Sequence, residues 1–298
     1  MVFFRMSILA KLRDKVMLKL GYERIQGKRF SFLESPVLHS RMHEGEAAFT
    51  VCAHMFWAYG ELSQLEKLAA ASFVKNGYQL KLWSYDLISG LPDGVTLCDA
   101  REILAEERVF LNKRGSFASF SDLFRYALLS EHGGLWVDTD VVALAHAQDL
   151  QPFSKSGFWV SEGNRASKRL SSPNNNVIFH PNPVPGDLID LAWAVSDRFN
   201  VEHLNWGEIG PGLLSYLALA YPNIAPPIME PAFANPLGYW ETPKKLLEPG
   251  RHVPQNTWFF HCYNERWRQK AIDKNKPYPK GSIMDQLSVM SGFGSEMR

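Results

Sequence analysis

The sequence predicts an α/β fold, a mostly parallel central sheet flanked by helices within a single main domain. Three observations carry this. Short apolar strands alternate with helical segments from residue 48 onward. The 298 residues are 46% hydrophobic, ample for one sizeable core. The best-patterned stretch, residues 116–142, reads as a helix followed by a strand that ends in two carboxylates.

Residues 1–30 stand apart. Phe3, Phe4, Ile8, Leu9, Leu12, Val16 and Leu20 are interleaved with Arg5, Lys11, Arg13, Lys15 and Lys19. No uninterrupted apolar span there is long enough to cross a bilayer and no small-residue cleavage site follows, so the pattern predicts a basic amphipathic arm. Two placements fit such a helix: peripheral contact with an anionic membrane, or packing on the main domain expected at 45–298. The net charge of +1 gives no excess for holding a polyanion, which argues against nucleic acid as a partner. Cys52, Cys98 and Cys262 are odd in number and lack metal-ligand spacing; they read as buried thiols of a reducing, cytoplasmic compartment.

Residues 48–56 are apolar enough for a central first strand. Trp57-Ala58-Tyr59-Gly60 then forms the loop at its carboxyl end, where open α/β sheets bind ligands. Residues 62–76 have helical spacing and close at Gly77, and 79–85 alternate as a second strand. A turn at Leu91-Pro92-Asp93-Gly94, a short strand near Val95 and a helix of mixed charge from Asp99 follow.

In the central stretch, Ser119 and Asp122 fit a capping box, Leu123, Phe124, Ala127 and Leu128 recur at helical spacing, and Gly133-Gly134 ends the helix. Leu135-Trp136-Val137 gives a short buried strand that resumes at Val141-Val142 after Asp138-Thr139-Asp140. At strand spacing, residues i and i+2 share a side, so the carboxylates converge. Two like charges ~4 Å apart at an effective dielectric near 20 repel by ~4 kcal/mol, and a divalent cation is the simplest remedy. Oxygen ligands of this kind suit Mg²⁺ or Mn²⁺, with positions left for water and for nucleotide phosphate oxygens. An ordinary turn, with each Asp bonded to nearby backbone N–H groups, is the competing explanation. Asp122 and Arg125 weigh against it, since they share a helical face leading to the same strand end.

Farther on, residues 157–162 and 176–180 read as strands around a polar loop with Arg165, Lys168 and Arg169, which fits either closure over a diphosphate or simple mobility. Residues 185–199 and 212–220 are helical, the Pro-rich 221–236 is extended or looped, and 257–263 is a late strand. The basic 270–280 reads as a flap or a tail.

The run SDLFRYALLSEHGGLWVDTDVV resembles the signature of DXD-motif glycosyltransferases with a GT-A fold, in particular those related to capsular polysaccharide transferases, yeast mannosyltransferases and large clostridial glucosylating toxins. The resemblance implies a GT-A-like, Rossmann-like catalytic domain. It also implies retaining, metal-dependent transfer of a hexose from a nucleotide sugar, a UDP- or GDP-hexose, to a glycan or lipid-linked hydroxyl acceptor in cell-surface polysaccharide or glycolipid synthesis. Under it, Asp138 and Asp140 hold the cation, Asp122 and Arg125 orient the sugar hydroxyls, and Trp57 supports the base with Gly60 leaving room for the nucleotide. Asn176 faces the donor sugar, Glu208 belongs to a donor-site loop near the acceptor, and His261 reaches the metal or diphosphate. Taken without the resemblance, a Trp or a lone His at a strand end fits a packed core as well.

Two other classes share these residues. A metal-dependent nucleotidyl or phosphoryl transferase would use the same carboxylates but calls for a Gly-rich phosphate loop with a Lys, and the sequence has none. A non-catalytic nucleotide-sugar or glycan-binding protein would keep the fold, and the intact Asp-Thr-Asp speaks against it.

Overall fold

The computed structural model describes residues 31–36, 49–163, 171–199, 204 and 207–293. The predicted arm at 1–30 and the loop residues Arg165, Lys168 and Arg169 lie outside the described residues. The strands are β1 (Cys52–Phe56), β2 (Gln79–Ser84), β3 (Thr96–Asp99), β4 (Gly134–Val137), β5 (Val141–Ala143), β6 (Phe158–Gly163), β7 (Ser171–His180), β8 (Ile228–Met229) and β9 (Phe259–His261). Among the described residues, seven of them form one sheet in the order β3-β2-β1-β4-β7-β6-β8. Neighbours are parallel except at β7, which runs against both β4 and β6. This is the mostly parallel central sheet flanked by helices expected from the sequence.

Period-2 alternation sorts the strand side chains into two cores. Ala53, Met55, Leu80, Leu82, Leu135 and Val137 face one side, and Phe56, Trp83 and Trp136 face the other. Helix α1 (Gln64–Lys75) covers the first side with Leu65, Leu68 and Phe73. Its third residue, Glu66, accepts from the Ser63 backbone N–H at 2.8 Å and so satisfies an orphan donor at the helix start. Helix α2 (Ala118–His132) covers the second side, where the Phe124 ring stacks on Phe56 at 4.3 Å between centroids. Each such fully buried side chain stabilises the fold by roughly 1.5–3 kcal/mol. A Cβ on Gly134 would lie 2.7 Å from the Cys52 carbonyl oxygen, and both Gly133 and Gly134 have positive φ. The helix-to-strand step therefore requires glycine.

Several expectations change. The predicted capping box at Ser119 and Asp122 does not form: Phe117 is the N-cap of α2, Ser116 Oγ accepts from the Ala118 N–H at 3.2 Å, and both residues lie inside the helix. The helix predicted from Asp99 is two short 3₁₀ turns, Ala100–Glu102 and Glu106–Arg108, whose side chains bury only Ala100. After α3 (Leu188–Ser196) and α4 (Pro211–Ala220), the Pro-rich stretch holds β8 and the single turn α5 (Pro231–Ala234). Only Cys262 is buried; Cys52 and Cys98 are half-exposed. The chain ends in α6 (Lys244–Leu247), α7 (Asn264–Gln269) and α8 (Ile283–Met290). No helix among the described residues is long and apolar enough to cross a membrane.

What positions the site is a strand that leaves the sheet. Val141-Val142 does not continue β4: β5 pairs antiparallel with β9 in a separate ribbon, with Val141 opposite His261.

Candidate metal and donor site

β1 and β4 are parallel neighbours paired at Ala53↔Leu135 and His54↔Trp136, so they end at the same edge of the sheet. Between β4 and β5 the chain makes a turn, with the Val141 N–H donating to the Asp138 carbonyl at 3.0 Å. The two carboxylates thus meet across a turn, and not, as strand spacing suggested, on one face of a pleat. The β5–β9 pairing brings His261 Nε2 to 3.4 Å from Asp140 Oδ2. One ligand atom each from Asp138, Asp140 and His261 fall within 4.8 Å of one another.

Arg125 occupies the other half of the site and is 2% exposed. Its NH1 donates to Asp122 Oδ1 at 2.8 Å and its NH2 to Asp138 Oδ1 at 2.7 Å, while the guanidinium lies 4.8 Å from the centre of the Trp136 ring. The Trp136 indole N–H donates to the same Asp138 oxygen at 2.9 Å. With Oδ1 held twice, Oδ2 is the oxygen left to face a cation. Arg125 Nε is buried with no hydrogen-bond partner among the described residues.

β7 slips register against β6 between Trp159 and Val160, whose partners jump from Ile178 to Asn174. The bulge re-aims its asparagines. Asn175 Nδ2 donates to Asp122 Oδ1 at 2.7 Å, whereas Asn176 turns its amide to Asn235 Oδ1 at 3.1 Å. Asn176 meets the site through its backbone, whose carbonyl accepts from the Asp138 N–H at 2.9 Å. The sequence reading singled out Asn176 and missed Asn175; alternation along the triplet Asn174-Asn175-Asn176 was the available signal, but nothing local said which side faces Asp122.

Burial raises the Asp122 carboxyl to about 6, against the pull of Arg125 and Asn175. Burial also raises Asp138, opposed by Arg125 and reinforced by Asp140. Burial alone would raise Asp140, but His261 and the N–H of Asn264, which donates to Oδ2, hold it below the usual range. Burial would lower His261, but Asp140, Asp138 and Glu162 hold it above its ordinary value. Three carboxylates with one guanidinium and a neutral imidazole leave two formal negative charges, which one divalent cation neutralises. An O,O,N donor set of this kind fits Mn²⁺ or Mg²⁺.

Trp57 directly follows β1 at the strand edge where β4 gives way to the acidic turn. Trp57 is half-buried, its indole N–H donates to the Gly60 carbonyl at 3.1 Å, and Lys274 Nζ lies 5.6 Å from its ring centre. Gly60 has φ +79° with open space around a would-be Cβ, so backbone conformation explains the glycine without a close approach. Glu208, half-buried, is two residues from Gly210, whose would-be Cβ lies 2.7 Å from Asp122 Oδ2 and 3.0 Å from Asn175 Nδ2. Gly210 therefore has a packing role at the site beyond the backbone reasons its sequence suggested. Lys274 also lies 2.5 Å from buried Glu66 and donates to Asn264 Oδ1 at 2.8 Å, which fastens part of the predicted basic flap. A separate cavity of about 130 Å³ near Lys155, His180 and Asp187 contains none of the candidate residues.

A known family matches this region: residues 61–156 fit the family described as glycosyltransferase sugar-binding region containing DXD motif. The recognition of a DXD-motif glycosyltransferase drawn from the central stretch stands. Solved structures similar in trace include the PaToxG glycosyltransferase (16% identity, 73% of this chain and 80% of that one, TM-score 0.41). Others are apo glycosyltransferase GlyE of Streptococcus pneumoniae TIGR4 (15%, 82% and 60%, TM-score 0.42) and apo mouse xyloside xylosyltransferase 1 (11%, 73% and 99%, TM-score 0.40). At these scores the likeness carries no argument about substrate or mechanism.

Proposed function

We propose that the protein is a retaining glycosyltransferase that moves a hexose from a nucleotide sugar to a hydroxyl acceptor with a divalent cation held by Asp138, Asp140 and His261. The observation that carries this reading is the clustering of those three ligand atoms within 4.8 Å, two of them from a motif inside the matched family region. A cation bound there supplies charge to the diphosphate oxygens as the glycosyl bond breaks. Arg125, fixed by Asp122 and Asp138, orients the sugar hydroxyls together with Asp122. Trp57 supports the base from the adjoining strand end, Asn176 lines the wall behind Asp138, and Glu208 faces the acceptor side. The basic arm at 1–30 would hold the domain beside a lipid-linked acceptor.

The direct test is a screen of UDP- and GDP-hexoses for nucleoside diphosphate release by purified protein, with and without Mn²⁺, since many transferases slowly use water. Release that requires both a nucleotide sugar and the cation is expected. Donor binding without release, under any cation or acceptor mixture, would instead identify a binding protein.

A further inference from the structure

We propose that Asn235 is a positioning residue that commits the neutral His261 ring to one tautomer, Nδ1–H, and so presents Nε2 to the Asp138/Asp140 pair. The inference rests on the reading of His261 as a metal ligand and deepens it. Asn235 is 3% exposed at the end of α5, and its amide is gripped from both ends. Asn235 Nδ2 donates to the Ser161 backbone carbonyl at 2.9 Å. A carbonyl only accepts, so the nitrogen of the amide must face Ser161 and the oxygen must face the other way. The reciprocal pair with Asn176, at 3.1 Å into Asn235 Oδ1 and 3.3 Å out of Nδ2, agrees with that orientation.

Asn235 Oδ1 then lies 2.9 Å from His261 Nδ1. An amide oxygen has no proton to give, so Nδ1 must carry the hydrogen. In the neutral ring the lone pair is thereby left on Nε2, the nitrogen 3.4 Å from Asp140 Oδ2. Tyr263 backs the arrangement: its ring centre lies 3.9 Å from that of His261, and its hydroxyl reaches Asn235 Oδ1 at 3.4 Å and the Leu237 carbonyl at 3.1 Å. No residue of the Asp-Thr-Asp turn touches Asn235 in this chain of contacts. Its effect reaches Asp140 through the ring, and a second path leads to the Asp138 N–H through Asn176, whose carbonyl accepts from it at 2.9 Å.

The test compares wild type with Asn235→Ala and Asn235→Asp. Asp keeps an oxygen for the Nδ1–H but loses the donor to Ser161, so it separates the ring's orientation from the stability of the amide network. Mn²⁺ affinity, read by electron paramagnetic resonance of free ion, should fall about 10- to 100-fold in Asn235→Ala, the range typical of an outer partner of a ligating His. In Asn235→Asp it should stay within a few-fold of wild type although the melting temperature drops. The ¹⁵N shifts of the neutral His261 ring in metal-free protein, assigned against His261→Gln, should report Nδ1–H in wild type and Asn235→Asp and a mixture in Asn235→Ala. An Nε2–H ring in wild type, or Mn²⁺ affinity that tracks melting temperature across both variants, would overturn the inference. Wild type that binds no Mn²⁺ would bring down the metal reading instead, and the ring shifts would still decide what Asn235 does. If Asn235→Ala does not fold, wild type and Asn235→Asp still give the tautomer.

Discussion

The two halves of the site are built in opposite ways. Around Arg125, charge answers charge: a guanidinium 2% exposed holds Asp122 and Asp138 through two hydrogen bonds, and Asn175 and Trp136 donate to those same two carboxylate oxygens. Around His261, neutral groups do the holding, with the Asn264 N–H on Asp140 and the Asn235 amide on the ring. In this first half Arg125 Nε is left without a partner among the described residues. The second carries a carboxylate beside an imidazole with no fixed cation on either, so added positive charge is accommodated there at little electrostatic cost. One end of the site is thus preorganised by internal ion pairs and the other by dipoles that leave a charge to be supplied.

The sharpest way to break this contrast is Asp140→Asn. It should remove Mn²⁺-dependent donor turnover by more than the ~10–100-fold typical of losing an outer partner, measured as nucleoside diphosphate release. Because Asp140 is held below the usual range by His261 and Asn264, the metal-free variant should also lose a little stability, and a gain would mean that repulsion between the two aspartates dominates. Next in size is Arg125→Met, which leaves buried Asp122 and half-buried Asp138 without their cation and should cost roughly 3–5 kcal/mol in chemical denaturation. A cost under 1 kcal/mol would show that this half is not held by its ion pairs.

Asp122 sharpens the comparison through pH. Its folded value of about 6 lies above the unfolded ~3.9, so between the two the native state keeps a proton that the unfolded state has released. Stability should therefore fall as pH rises through that window, by up to roughly 3 kcal/mol, and level off above it. Asp122→Asn should abolish this component of the pH slope, read as the difference between the two proteins' denaturation curves, while losing donor turnover. An unchanged slope would mean that Asp122 is not the group responsible. The smallest expected effect is that of Gly210→Ala, whose added Cβ must displace Asp122 Oδ2 from 2.7 Å. Overpacking of this sort costs roughly 1–3 kcal/mol and should weaken donor binding while Mn²⁺ affinity stays unchanged. Equal loss of both would mean that the two halves are one coupled unit.

Much of the first half was legible because its members are local. Asp122, Arg125, Trp136 and Asp138 fall within seventeen residues, on a helix and a strand whose periods are visible in the residue types. What misled was also local: Ser119 and Asp122 have capping-box spacing, yet the buried guanidinium claims the Asp122 carboxylate. Alternation likewise predicted a convergent pair at Asp138 and Asp140 for a geometric reason that the turn replaced. Alternation placed Asn175 on one side of its strand without saying which side faces Asp122, and Asn235, Gly210, Asn264 and Lys274 carried no such signal, since their partners at the site are distant in sequence.

By itself the sequence determined the alternating α/β order, the apolar faces that make two cores on one sheet, and the acidic pair at the end of its central strand, because these follow from side-chain period and residue type. Only the tertiary structure decided that Val141 leaves the sheet to pair with His261, that the β7 bulge gives Asn175 to one half of the site and Asn176 to the other, and that Asn235 meets the imidazole. Strand partners and buried hydrogen bonds are chosen by which distant segments can close a core with every polar group satisfied, and no window of sequence contains that choice.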